Sequence, residues 1–330
     1  MIATNWALLG HEWAVQLLKT QIATGRLRHA YLLTGPDGVG RRTLVLRLAQ
    51  ALNCTNPPEP GEFCGECRAC RGLAQAQHVD LLIVERQEGD REIKIAAVRE
   101  LSRSLSRTPL ESRYQVALFL EFETASEEAA NALLKTLEEP NPSVILCLTA
   151  ADADSLPATI VSRCELLRLR PMPVKELAAA LTKRSIPAPQ ATLLAGLSLG
   201  RPGLALRWHE DQAALRQRAA WLEAGEQLLY ANRVQRFAFA DAASKNRKDL
   251  RDLLLVWLSF WRDVVIRNSH SAAPISNPDK DEAITLISAR LTADAARGVL
   301  RAMDHSLNQL DTNVNARLAM EGLLLELPDL

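Results

Sequence analysis

A chain of 330 residues, 48% of them hydrophobic, with 39 basic against 39 acidic side chains, is long enough for several domains, and its neutral balance leaves any nucleic-acid contact to a local basic face. The N-terminus lacks the basic, apolar and small-residue order of a secretory signal, and no apolar run reaches bilayer length, so a soluble cytoplasmic protein is expected. Six cysteines with no secretory signal then read as metal ligands or core thiols rather than disulfides.

Leu8, Trp13, Leu17, Leu18 and Ile22 recur about one turn apart and predict an amphipathic opening helix over 6–27. Ala30-Tyr31-Leu32-Leu33 is a short buried strand, and the chain then runs through Gly35-Pro36-Asp37-Gly38-Val39-Gly40-Arg41-Arg42-Thr43 into a helix over 44–52. Strand, glycine-rich turn and helix form the setting of a phosphate-binding loop, in which backbone N–H groups converge on an anion at a helix N-terminus. A working loop also carries Lys to reach the phosphates and Ser or Thr to ligate magnesium. Here Arg41 and Arg42 stand at those positions, followed by Thr43, and a guanidinium cannot ligate a cation. Gly35, Gly38 and Gly40 keep the outline of the loop while its chemistry is gone, so ATP binding is doubtful. The bland alternative is a plain strand-to-helix turn.

Residues 56–61, rich in proline, lead without regular structure into a cysteine knuckle. Cys54, Cys64, Cys67 and Cys70 are separated by nine, two and two residues, with Gly65 for the tight turn. Four soft thiolates are the ligand set of a tetrahedral zinc site, and a site filled by sulfur leaves no place for water or substrate, so the metal would be structural. Cys147 and Cys164 read as ordinary core thiols.

A second strand is expected over 80–84, a polar turn over 88–91, and a helix over 95–107 ended by Pro109. Arg99, Arg103 and Arg107 recur every four residues there, away from Ile95, Val98, Leu101 and Leu105. Such a stripe either follows phosphates without reading bases or is a solvated face. A strand over 116–120 reads as buried on both faces. Thr124 with Glu127 offers a capping box for a helix over 127–139, which Pro140 stops, and another buried strand follows over 144–148. The alternation implies an open parallel sheet with helices on both faces.

After 169–173 strand-like runs cease. The expected organisation is an α/β domain over 1–170 with a zinc module at 54–70, a helical lid over 171–208 and an all-helical domain over 209–330. The lid would hold helices over 174–184 and 190–199, and a third introduced by Gly200-Arg201-Pro202-Gly203. A long helix over 249–267 gathers Leu250, Leu253, Leu254, Trp257, Phe260, Trp261 and Val264 on one apolar face. A polar loop over 269–281 and two further helices would end the chain.

Gly10-His11-Glu12 ahead of His29-Ala30-Tyr31-Leu32-Leu33-Thr34-Gly35-Pro36, then Asn131-Ala132-Leu133-Leu134-Lys135-Thr136-Leu137-Glu138-Glu139-Pro140, then Ser162-Arg163-Cys164 together resemble the AAA+ subunits of the bacterial DNA polymerase III clamp loader. The middle motif is long and highly specific, and that family also inserts a four-cysteine zinc module after the P-loop helix. The resemblance implies an AAA+ P-loop domain, a helical lid and a helical collar domain that serves oligomerisation. It divides into ATP-hydrolysing motor subunits, gamma or tau, and a delta-prime type that usually does not hydrolyse. Counting back from Asn131, the motors' magnesium-binding Asp falls at Leu120, beside Glu121. With Arg42 in place of the hydroxyl, both protein-derived magnesium ligands are missing, which resembles the delta-prime type.

Arg163 stands where the family places an arginine that reaches the ATP of a neighbouring motor subunit. The resemblance therefore implies a non-catalytic subunit that supplies a trans arginine finger and helps to load the sliding clamp. Its implied partners are gamma/tau and delta subunits, the clamp and primed DNA, with the arginine stripe in the duplex-facing interior of the spiral and no membrane involved. One alternative is an active gamma- or tau-like ATPase, with Arg41 replacing Lys and magnesium held by water and nucleotide. The other is a zinc-stabilised module binding nucleic acid or protein outside replication, against which the 131–140 motif speaks.

Overall fold

A computed structural model describes residues 6–87, 90, 92–312 and 314–330; of the polar turn expected at 88–91, all but Asp90 lies outside the described residues. The chain divides into two compact units, Met1–Met172 with Arg201–Leu204, and Pro173–Gly200 with Ala205–Leu330. No described helix is long and apolar enough to cross a membrane.

In the first unit, helix α1 (Glu12–Thr24) precedes strand β1 (Ala30–Thr34), followed by α2 (Arg41–Asn53), α3 (Arg68–Ala74), β2 (Leu81–Val84), α4 (Ile95–Leu105), β3 (Gln115–Phe119), α5 (Glu127–Glu138), β4 (Val144–Ala150), α6 (Ala158–Val161) and β5 (Glu165–Arg168). The five strands pair in parallel in the order β2-β3-β4-β1-β5. Alternation along the strands feeds two cores. Tyr31, Leu33, Val116, Leu118, Ile145 and Cys147 face α1 and α2, whereas Leu32, Ala117, Phe119, Leu146 and Leu148 face α4 and α5. Burial on both faces is why these strands read as continuous apolar runs.

Three local expectations are corrected. The opening helix is shorter than 6–27: Gly10 and His11 take left-handed φ before it, and Gly25 ends it, with Arg26 N–H bonded to the Gln21 carbonyl. Thr124 is not the cap of α5. A short 3₁₀ turn, Phe122–Thr124, buries Phe122, and Ser126 caps the helix by accepting from Ala129 N–H at 3.2 Å, while the Thr124 hydroxyl donates to the Glu121 carbonyl. Strand β5 went unforeseen because it is a four-residue edge strand, fixed by pairing with β1 rather than by a local apolar run.

The second unit is helical: α7 (Val174–Lys183), α8 (Ala188–Leu197), most of α9 (Pro202–Glu210), α10 (Gln212–Leu228), α11 (Arg233–Ala243), α12 (Arg247–Asn268), α13 (Asp281–Arg290), α14 (Ala293–Asp311) and α15 (Ala316–Glu326). The apolar face expected on α12 is buried from Leu250 through Val264 and centres the core with α14 and α15. Three helices, not two, follow the loop after α12, because Thr292 caps a new helix after Leu291. Nor is that loop merely solvated. Asp263, fully buried on α12, accepts the N–H groups of Ser276 and Asn277, both at 2.8 Å, and Arg218 donates to Asn277 and Asp279. A buried carboxylate is tolerated because each oxygen is hydrogen-bonded.

Candidate functional site

The sheet order sets β1 between β4 and β5, and the glycine loop leaves its C-terminal end. Gly35, Gly38 and Gly40 have φ of +143°, +76° and +114°, and at Gly35 a Cβ would stand 2.3 Å from the Leu169 carbonyl oxygen, so only glycine fits. The loop is fastened from outside: buried His11 donates Nε2–H to the Val39 carbonyl at 2.9 Å. Arg41 opens α2 and is 9% exposed, with Nη1 buried and without a partner among the described residues, whereas Arg42 is exposed. Leu120 is half-buried and packs into the apolar core on the α1–α2 side, and Glu121 beside it is exposed with φ +50°. Neither the Arg42 guanidinium nor the Leu120 side chain carries an oxygen that could ligate a cation.

Gly203, expected only as part of a helix opening, also meets the glycine loop. Its N–H donates to the Gly38 carbonyl at 2.8 Å, and a Cβ at Gly203 would lie 2.9 Å from that same oxygen. A Cβ at Gly38 would in turn meet the Leu204 backbone nitrogen at 2.8 Å. The segment Arg201–Leu204 therefore docks on the loop backbone to backbone. The available signal was a glycine directly after a helix-opening proline, where a better helix former costs nothing locally.

Cys54 follows α2, Cys64 lies in the intervening turn, Cys67 caps α3 and Cys70 lies within it. The four sulfurs all lie within 4.8 Å of one another, with Cys54–Cys64 at 3.5 Å and Cys64–Cys70 at 4.0 Å. A tetrahedral ion with sulfur ligands at its usual bond length sets them about 3.8 Å apart, so the set fits a metal. Successive N–H groups of Cys64, Cys67 and Cys70 point at the sulfurs of Cys54, Cys64 and Cys67, at 3.2, 3.3 and 3.4 Å. Burial opposes ionisation of Cys67, but hydrogen bonds from Cys70 and Thr55 outweigh it and hold the thiol down at about 6. The Cys67 N–H likewise lowers Cys64, whereas burial raises Cys54 and Cys70. The knuckle is clasped by the two helices that flank the glycine loop: Gln50 of α2 donates to the Cys70 carbonyl at 2.8 Å, Arg47 lies over the Phe63 ring, and Lys19 of α1 pairs with Glu62.

Arg163 follows α6, in the turn before β5. Its Nη1 donates to the Thr159 carbonyl at 2.9 Å and its Nη2 to Glu138 Oε1 at 2.6 Å. Neighbouring Cys164 has its thiol pushed up to about 12 by burial, and burial also raises fully buried Cys147, which suits core thiols without chemistry. Arg99 and Arg103 are exposed one turn apart on α4, but the helix ends at Leu105 with Ser106 as its cap. Arg107 therefore lies beyond the helix, and the continuous three-arginine stripe is corrected to a pair followed by a loop residue.

A parallel sheet of this order, with a glycine loop leaving β1 and a helical unit following, defines an AAA+ P-loop protein. Residues 10–173 match the family described as DNA polymerase III, delta subunit, and residues 210–329 its C-terminal family. The DNA polymerase III subunit delta' of Pseudomonas aeruginosa is 32% identical over 308 residues, covering 90% of this chain and 91% of that protein. The chain belongs to the delta' subunits of DNA polymerase III. Subunit tau of Escherichia coli is 34% identical over 174 residues, but that match covers 52% of this chain and 26% of tau. A DNA polymerase III gamma subunit-related protein of Thermotoga maritima shares the fold, with a TM-score of 0.50 and 18% identity over 94% of this chain and 97% of that one.

Proposed function

We propose that this chain acts within a DNA polymerase III clamp loader as a subunit that hydrolyses no ATP and lends Arg163 in trans to ATP held by a gamma/tau-type neighbour. Its further partners are a delta subunit, the sliding clamp and primed DNA, and its place is the cytoplasm. The observation that carries the non-catalytic half is the pair Arg42 and Leu120. Neither a guanidinium nor a core-packed leucine offers magnesium an oxygen. Purified alone, the chain is expected to turn over ATP no faster than a magnesium-containing buffer control. Steady hydrolysis at ~1 s⁻¹, within the ordinary enzyme range, would return it to the motor class.

The knuckle is assigned a structural zinc ion held by Cys54, Cys64, Cys67 and Cys70. The exposed pair Arg99 and Arg103 is assigned to DNA phosphates, with Arg107 reaching them from the loop. Replacing Arg99 and Arg103 by Ala should make log K for primed DNA less steep against log salt by about 2, near one counterion for each phosphate no longer neutralised. An unchanged slope would make the pair a solvated face.

A further inference from the structure

We propose that Glu138 is the positioning residue for Arg163, holding the guanidinium in the attitude from which it meets the neighbour's phosphate. The inference rests on the trans-arginine reading above. It starts from an anomaly of local structure. Glu138 is the last residue of α5, where the negative end of the helix dipole disfavours a carboxylate, and Glu139 follows directly. Much of the 131–140 motif is explained by packing: Leu133 and Leu137 are buried in the core, and Thr136 meets Ser102 across to α4. Glu138 remains exposed, with no part in that core.

Its side chain reaches an arginine 25 residues away in the sequence. Glu138 Oε1 accepts from Nη2 at 2.6 Å while the Thr159 carbonyl accepts from Nη1 at 2.9 Å. Two acceptors on two different nitrogens fix the plane of the guanidinium as well as the site of its charge, and the remaining N–H groups stay available to a phosphate oxygen. The side chains of Arg163 and Glu138 are 35% and 52% exposed, so the pair contributes little to the fold. What it removes is the rotamer freedom of a long side chain, which would otherwise have to be lost when the finger engages.

The test is a loader reconstituted from wild-type partners and full-length variants of this chain, with assembly, melting, kcat and KM for ATP measured together. Glu138→Ala should leave assembly and melting unchanged and lower the DNA- and clamp-stimulated kcat several-fold, with KM unchanged. Glu138→Gln, whose amide oxygen still accepts from Nη2, should recover most of the loss. Glu138→Ala combined with Arg163→Ala should be no worse than Arg163→Ala alone. If Arg163→Ala lowers kcat while Glu138→Ala leaves it unchanged, raises it or adds to the Arg163 effect, the positioning role is wrong and the finger stands. If Arg163→Ala itself changes nothing, the trans-arginine reading fails, and Glu138 loses its role with it.

Discussion

Arg163→Ala is expected to leave this chain folded and the loader assembled, yet to depress the stimulated ATPase of the complex, although on the function proposed above the altered chain has no ATPase of its own. Folding should survive because Arg163 is a partly exposed residue with one ion pair and one carbonyl bond, and exposed pairs contribute about 0–1 kcal/mol. Catalysis should suffer because a planar guanidinium neutralises charge on a transferring phosphoryl group, an effect of ~10³ to 10⁵ in rate at the site served. Other motor sites keep their own neighbours, so total turnover falls only in part, while clamp loading, which needs coordinated sites, falls further. Arg163→Lys should rescue poorly, since an ammonium keeps the charge but loses the fork. Loss of assembly together with activity would make Arg163 a structural interface residue, and no change in ATPase or loading would end the finger assignment.

What the sequence disclosed followed the range of the forces involved. The run Ala30–Thr34, the glycine loop and the apolar face of α12 are local patterns, and each falls where periodicity puts it. The cysteine spacing is equally local, and the four sulfurs converge. Pairings between distant segments were not legible. Nothing in Gly10-His11 announces that the imidazole will hold the Val39 carbonyl, and nothing in Pro202-Gly203 announces that its backbone will meet Gly38. The end of the helix that carries the arginines was not legible: Pro109 restricts only Thr108, yet α4 already ends at Leu105 and leaves Arg107 outside it. Glu138 and Arg163 were both in view as members of motifs, but only the fold brings them together.

Removal of the metal should have the largest effect on stability. The binding free energy of a structural zinc ion is also folding free energy, ~10–16 kcal/mol in zinc-finger peptides near neutral pH. Here it would be spent on ordering a segment, 54–70, that contributes few side chains of its own to the sheet core. A single zinc ion per chain is expected, and Cys67→Ser should release it and lower the melting temperature of the first unit. The damage should reach α1 and α2, because Lys19, Gln50 and Arg47 lose their partners at Glu62, Cys70 and Phe63 when the knuckle opens. Acid should imitate the mutation. Without metal Cys67 is held at about 6, below the usual thiol range, so its ligand form is present at neutral pH; bound zinc competes with protons for the thiolates, so acid should release it only below that value. Burial raises Cys54 and Cys70, so these two should release protons when zinc enters at neutral pH. Elemental analysis across a pH series, paired with melting curves with and without chelator, measures both effects. Protein purified without chelators that carries no zinc, or a Cys67→Ser variant that melts like the parent, would refute the site.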